Sequence, residues 1–340
     1  MPTLAITGAS GKLGGAVLRN LLSHDLSPPA SIVATTSGSP DDSPRWQALK
    51  DRGVAVRHAS YDDPASMEAA FRGCTRLLLV STPRIGMDFD DAAPGRGREA
   101  HHVAAIDAAR AAGVRHVYYT SLGFGSGAAA GAAAAGSGMS GRSKAGVMRA
   151  HDRTEAYLRS LPPASDSSGG IDHTILREGL YNESWPLYLG HGELLTGGDE
   201  REEVVVAGDG RISWAAIDDL GLATAAILAA GDEERARRWA GATATLATTA
   251  PVTLREVAAM VSKARGRKVE LKVVGRDEHE RYYVERRGVE EAYVKWWSTT
   301  YDAVRDGECD HQDPLLERIL ARFGGRKPKP IRETIEEMFA

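Results

Sequence analysis

The chain has 340 residues, 42% hydrophobic and 26% charged. That is room for two domains, or one large domain with an extension, and the balance excludes a disordered chain. A net charge of -4 argues against a dedicated nucleic-acid binder. Two cysteines, Cys74 and Cys309, give neither a disulfide framework nor a Cys/His metal spacing, so no metal is expected and a reducing, cytoplasmic compartment fits best. No apolar run is long enough to span a membrane, and the N-terminus lacks the features of a signal peptide.

The first 120 residues alternate between strand and helix patterns. Residues 3–7 form a short apolar run, the first strand. Residues 12–23 place Leu13, Val17, Leu18, Leu21 and Leu22 at helical spacing. Strands are expected over 31–36, 54–58, 76–80 and 114–120. A short helix around Trp46, one beginning at Asp63-Pro64, and one over 98–112 separate them. Residues 142–160 read as a helix and 172–177 as a sixth strand. Two segments, 127–141 (Gly, Ala and Ser with Met139) and 162–170, can bury little and are expected to be loose.

Continuous apolar strands separated by helices indicate a parallel sheet covered on both faces. The fold class expected is α/β, a Rossmann-type doubly wound sheet with a smaller mixed α/β C-terminal substrate domain. Residues 1–178 would form the nucleotide-binding domain. Residues 179–340 would form the smaller one, with some segments returning to the sheet. In that second half, helices are expected over 218–228, signalled by Asp218, and 252–264, capped by Thr253. A strand over 268–274 precedes a mostly helical stretch over 276–323.

Thr7-Gly8-Ala9-Ser10-Gly11-Lys12-Leu13-Gly14-Gly15 carries a GxxGxxG pattern between the first strand and the first helix. Gly8 permits a tight turn, Gly11 lets a pyrophosphate approach the backbone, and Gly14 lets the helix pack closely. The amides of Ser10 to Leu13 then face the phosphates at a helix N-terminus. Strand two ends at Thr36 and Ser37 with no acid until Asp41. An acid there would hold the ribose hydroxyls of NAD; small hydroxyls leave room for a 2′-phosphate, with Lys12 and Arg45 as cations. NADP(H) is therefore favoured over NAD(H). Asp62 is placed to meet the adenine edge, or to cap a helix with Asp63-Pro64.

Several stretches resemble the NmrA-like family of atypical short-chain dehydrogenases/reductases. They are Thr7 to Gly15, the run from Ser60 to Met67, Leu77-Leu78-Leu79-Val80-Ser81-Thr82-Pro83, and the run from Ala109 to Ser121. The pattern His151-x-x-Thr154-Glu155-x-x-Leu158, followed by Thr174-Ile175-Leu176-Arg177-Glu178-Gly179-x-Tyr181-Asn182-Glu183, is most similar to the NAD(P)H:quinone oxidoreductase and triphenylmethane reductase branch. The resemblance implies an NAD(P)H-binding domain with the active site between it and the C-terminal domain. Some members of the family are reductases and others regulate a partner without turnover. No Tyr in the chain is followed four residues later by a Lys, so the usual proton-donating pair is missing.

Ligands of open α/β sheets bind outside the carboxyl ends of the strands. Those ends supply Ser81 and Thr82, Thr120 and Ser121, and Tyr181 with Asn182 as candidates. Ser81, Thr82 and Thr120 are assigned to the cofactor, and Ser121 to a catalytic hydrogen bond. Lys144 and His151, seven residues apart on an expected helix, would share one face. His151, oriented by Glu155, is a candidate proton donor; Lys144 is a candidate for the nicotinamide ribose and for catalysis. Tyr181, Asn182, Phe124 and Trp185 are candidate substrate contacts, and Tyr188, Trp214, Trp296 and Trp297 could wall an apolar pocket. His101 and His102 read as structural, and the loose segment 127–141 could close over the site or be a surface insertion.

The leading expectation is an NAD(P)H-dependent reductase of an apolar conjugated molecule, such as a quinone, dye or enone-like metabolite. Two alternatives stand beside it: a non-catalytic NADP(H) sensor that binds a regulatory protein partner, and a biosynthetic tailoring enzyme on the same fold. No nucleic-acid or membrane partner is expected, and the chain would be a monomer or homodimer.

Overall fold

The computed structural model describes residues 3–41, 43–125, 143–166, 169–191, 194 and 201–340. The Gly/Ala segment 127–141 lies outside the described residues, as do Ser167 and Ser168 of the second segment expected to be loose.

The strands are, in chain order, β1 (Leu4–Ile6), β2 (Ile32–Thr36), β3 (Ala55–His58), β4 (Arg76–Leu79), β5 (His116–Leu122), β6 (Asp172–Glu178), β7 (Leu180–Tyr181), β8 (Glu203–Val206), β9 (Arg211–Ile212), β10 (Trp214–Ala215), β11 (Ala242–Leu246), β12 (Val252–Thr253) and β13 (Glu270–Val273). Seven of them form one parallel sheet in the order β11-β6-β5-β4-β1-β2-β3. The chain winds outward one way from β1 through β3 and the other way from β4 through β11. This leaves a topological switch, and a crevice, between the carboxyl ends of β1 and β4.

The helices are α1 (Lys12–Ser23), α2 (Pro44–Asp51), α3 (Pro64–Phe71), α4 (Glu99–Ala111), α5 (Met148–Ser160), α6 (Trp185–Tyr188), α7 (Ile217–Leu228), α8 (Asp232–Glu234), α9 (Leu254–Arg265), α10 (Arg276–Arg281), α11 (Glu291–Arg305), α12 (Leu315–Leu320) and α13 (Ile331–Phe339). Local signals set several ends. Ser43 and Asp63 cap α2 and α3, each with Pro at the first helical position. Thr253 and Glu256 form a reciprocal capping box on α9, and Gly266 ends it with φ +67°. Among the described residues no helix is long and apolar enough to cross a membrane.

Two apolar layers cover the sheet. Leu13, Val17 and Leu21 of α1 pack with Leu220, Ala223 and Ile227 of α7 on one face. A β-carbon on Gly221 would lie 2.6 Å from the Ala16 β-carbon, so the two helices touch at a glycine–alanine contact. Phe71 of α3, Ile106 of α4 and Leu158 of α5 cover the other face with Val117 and Ile175. A further cluster, with Trp185, Trp214, Val257, Trp297, Tyr301 and Ile335, builds the smaller lobe. Three short strand pairs stitch that lobe: β7 with β10, β9 with β12, and β8 with β13.

Of the second half, β11 is a segment that returns to the main sheet, in register with β6 from Ala242–Thr174 to Leu246–Glu178. The structure departs from the sequence expectations in two places. Asp218 does not cap α7. It lies inside the first turn and bonds Asn20 and Arg326, while the first helical amide, Ile217 N–H, is taken by the Glu183 carboxylate at 3.2 Å. Lys144 precedes α5 rather than lying on it. Its amide donates to Glu308 and that of Gly146 donates to Thr299, so these amides are tied to the C-terminal lobe.

Candidate active site

The glycine loop follows β1 directly. Thr7 leaves the strand, and its hydroxyl accepts the Val80 amide at 2.8 Å, joining the loop to the end of β4. Gly8 turns with φ +60°. A β-carbon on Gly14 would lie 2.4 Å from Gly8 O, so any larger residue would push α1 off the loop. Gly11 is the N-cap of α1 without a side-chain bond, and no acid sits in the first turn. The first amides, including those of Lys12 and Leu13, therefore remain donors for an anion, and the cradle fits a pyrophosphate. Ser10 is exposed on the same loop, its carbonyl held by Arg45.

Arg45 reaches this loop from α2, donating to Ser10 O at 3.0 Å and Ala9 O at 2.7 Å while its guanidinium lies over the Trp46 ring. It braces the loop from the side where β2 ends. Thr36 and Ser37 lie there, with the Thr36 hydroxyl accepting the Gly38 amide. Asp62 caps nothing, since Asp63 holds α3; instead it pairs with Arg84. The Arg84 hydrogen bond holds the Asp62 carboxyl below its usual range. Beside this pair the His101 ring stacks on Tyr61.

Beyond β4 the turn through Ser81 and Thr82 is held by side chains. The Ser81 amide donates to the Thr120 hydroxyl at 3.0 Å. The Thr82 amide donates to His102 Nε2 at 3.2 Å. Arg98, buried and paired with buried Asp88 at 2.6 Å, reaches Ser81 Oγ and Thr82 O. Tyr119 of β5 lies behind, its hydroxyl 2.8 Å from His151 Nδ1 and 3.2 Å from His102 Nδ1. His151 is only 2% exposed. Burial first, then Arg98, holds the imidazoles of both His102 and His151 well below the usual range, so both are neutral.

The expected His151–Glu155 pair does not form. Glu155 turns the other way, accepting from Ser121 at 2.7 Å, from Arg177 at 2.8 Å and from Arg159 at 2.9 Å. Burial is the largest single influence and opposes its charge, but the Arg177 bond and charge, the Ser121 bond and the Arg159 charge together hold the carboxyl below its usual range. Ser121 thus donates into a buried ion cluster and not toward a substrate oxygen. Lys144 pairs with Asp306 near the surface.

A pocket of about 290 Å³ opens at the carboxyl ends of β5 and β6. Leu122, Phe124, Gly179 and Tyr181 form its floor; Tyr188, Tyr293, Trp296 and Trp297 form aromatic walls. Ile85, Val147, Leu180, Ser184 and Leu187 complete it. These lining residues include no carboxylate, imidazole, ammonium or guanidinium group. Phe124 and Tyr181 therefore line this pocket. Asn182 and Trp185 do not: Asn182 bonds Lys329 O and Thr334, and Trp185 packs against Phe339. Trp214 also lies behind the wall, edge-on to Tyr188. Beneath Gly179, Glu178 is fully buried with one oxygen accepting from Thr224. Burial pushes its carboxyl up to about 8.

Sequence reasoning missed Tyr293, Leu187, Ile85 and the Asp88–Arg98 pair. Tyr293 was findable: it stands three and four residues before Trp296 and Trp297, one face of a helix. Asp88 ends a single 3-10 turn and Arg98 sits at the N-cap of α4, ten residues apart, so no periodicity pairs them. Among the described residues, no group of three His, Cys, Asp or Glu side chains could hold a metal ion.

A family model described as NAD(P)H-binding matches residues 8–203. The chain is 29% identical over 339 residues to an NmrA-like family domain-containing oxidoreductase, flvB, of Aspergillus flavus, covering 98% of this chain and 94% of that protein. It is 31% identical over 271 residues to quinone oxidoreductase 2 of Escherichia coli, covering 78% and 76%. The crystal structure of the Citrobacter sp. triphenylmethane reductase complexed with NADP(H) superposes with a TM-score of 0.73 at 27% identity, covering 99% of this chain and all (100%) of that one.

Proposed function

The chain belongs to the NmrA-like family of NAD(P)H-binding atypical short-chain dehydrogenases/reductases, and on that premise we propose that it reduces a neutral, planar, conjugated acceptor, a quinone above all, with NADPH. The observation that carries this reading is the pocket wall. It is aromatic and apolar, lies at the strand ends that face the switch crevice, and carries no group that titrates near neutral pH.

Reduction of a simple ketone leaves a strongly basic alkoxide and calls for a positioned acid, which the missing Tyr–Lys pair would normally provide. A quinone is different. Hydride addition leaves a delocalised phenolate-like anion that water can protonate, so no strong acid is required at the wall. Tyr181 is one of the hydroxyl-bearing residues that line the pocket. Burial, then Glu178 and Glu183, raises its pKa, so it stays protonated and donates a hydrogen bond to the acceptor oxygen.

A bound nicotinamide would supply the hydride. The amides of the Gly8–Gly14 loop would hold the pyrophosphate, and Thr36, Ser37 and the Arg45 side of the loop the 2′-phosphate. The turn at Ser81 and Thr82 and the Thr120 end of β5 would border the nicotinamide ribose. Lys144, ion-paired with Asp306, is left out of this assignment.

NADPH oxidation across a panel of neutral quinones and cationic dyes tests the reading. Saturable turnover of at least one quinone, faster with NADPH than with NADH, is expected. The pocket's lack of an acid also favours a second reading, a cofactor sensor without turnover. Tight NADPH binding with no oxidation by any acceptor would select it.

A further inference from the structure

We infer that His102 is a positioning residue for the cofactor: through one neutral tautomer it fixes the Ser81–Thr82 turn at the exit of β4. The inference rests on the reading that this turn borders the cofactor.

The tautomer follows from the bonds. Thr154 donates its hydroxyl to Ala150 O at 2.8 Å, so its oxygen is an acceptor for His102 Nδ1, 2.9 Å away. Nδ1 must therefore carry the proton. Nε2 is then a lone pair, and it faces two donors, the Thr82 amide at 3.2 Å and the Ser81 hydroxyl at 3.1 Å. The Tyr119 oxygen, 3.2 Å from Nδ1, offers that N–H a second acceptor. The other tautomer would set an N–H against the Thr82 N–H and a lone pair against the Thr154 oxygen. A protonated ring would meet the same Thr82 clash. Burial and the Arg98 charge disfavour that protonated form.

The turn has no freedom left elsewhere. Its Ser81 amide is held by Thr120, and Arg98 reaches both Ser81 Oγ and Thr82 O from an ion pair with Asp88. Backbone donors that would otherwise wander at a strand end are thus fixed by α4 and β5 before any ligand arrives. This is the geometry of a preorganised first contact supported from behind.

Three variants test it: His102→Leu, which removes the acceptor; Thr154→Val, which keeps the imidazole but removes the group that sets its tautomer; and His102→Gln, whose amide oxygen can accept from Thr82. The readouts are NADPH binding at equilibrium by quenching of tryptophan fluorescence, and KM and kcat with a quinone. His102→Leu is expected to weaken NADPH binding about tenfold and raise its KM with little change in kcat. Thr154→Val is expected to move the same way by a smaller factor, and His102→Gln to recover most of the affinity. Folded His102→Leu, or Thr154→Val where the former does not fold, with parental NADPH affinity and only a lower Tm would overturn the inference. A parent chain that binds no NADPH would overturn the cofactor reading beneath it.

Discussion

The Tyr119 hydroxyl and His151 Nδ1 share a 2.8 Å hydrogen bond inside the layer between the sheet and α5. His151 is thus a neutral, buried group away from the pocket wall. His151→Gln is expected to cost about 1–3 kcal/mol of stability, the usual range for disturbing a buried hydrogen bond. The pH profile of kcat with a quinone should keep its shape between about pH 6 and 8, because the imidazole is neutral throughout that range. A kcat loss of about a hundredfold together with a vanished pH limb would make His151 the proton donor after all.

Gly14→Ala is expected to abolish tight cofactor binding. The added β-carbon would sit 2.4 Å from Gly8 O, backbone that cannot swing aside. Relief requires α1 to move off the loop, at a cost of about 1–3 kcal/mol and with the phosphate amides displaced. Calorimetric titration with NADPH checks it; unchanged affinity would mean that the loop does not hold the phosphates.

Ser37→Asp should reverse the cofactor preference. A carboxylate at the end of β2 accepts the two ribose hydroxyls of NADH and repels a 2′-phosphate. NADPH affinity is expected to fall by about tenfold or more while NADH is unaffected or improves. Equal losses for both cofactors would place the 2′-phosphate elsewhere.

Stability should fall on both sides of neutral pH, for opposite reasons. Burial lowers the pKa of His102, His116, His151, His191 and His279, to about 3 for His116 and His191 and about 4 for His279. Below about pH 6.5 the unfolded chain binds protons that these rings refuse, so stability is lost as pH falls. Glu178 works the other way. Its carboxyl stays protonated up to about 8 while the unfolded side chain ionises near 4.5, so stability is lost as pH rises between those values. Glu178→Gln keeps an acceptor for Thr224 and removes the ionisation. It should raise Tm at pH 8 relative to the parent while changing little at pH 5. An equal shift at both values would show that Glu178 does not titrate there.

The parts of this molecule that the sequence announces are those built from neighbours along the chain. The Gly8–Gly14 loop, the Asp63-Pro64 helix start and the Thr253–Glu256 capping box are all complete within a few residues. β11 hid because its Ala-Thr-Ala-Thr-Leu pattern lacks the continuous apolar run of the other central strands. The α7 cap hid because Glu183 supplies it from 34 residues away. Trp185 looks like a pocket wall in sequence but lies behind it, and Trp214 lines a separate apolar cavity with Val252, Met260 and Ile331, since composition does not say which face of a short element turns inward. The His102 column draws on α4, α5 and the ends of β4 and β5, and only the parallel sheet brings those ends together.

The most direct test of the proposed activity is a single-turnover experiment. The chain is mixed with one equivalent of NADPH, then with excess neutral quinone, while NADPH absorbance and hydroquinone formation are followed together. The account predicts that each NADPH lost yields one hydroquinone, at a rate that saturates with quinone concentration. NADPH that stays bound and unoxidised at every quinone concentration would contradict it.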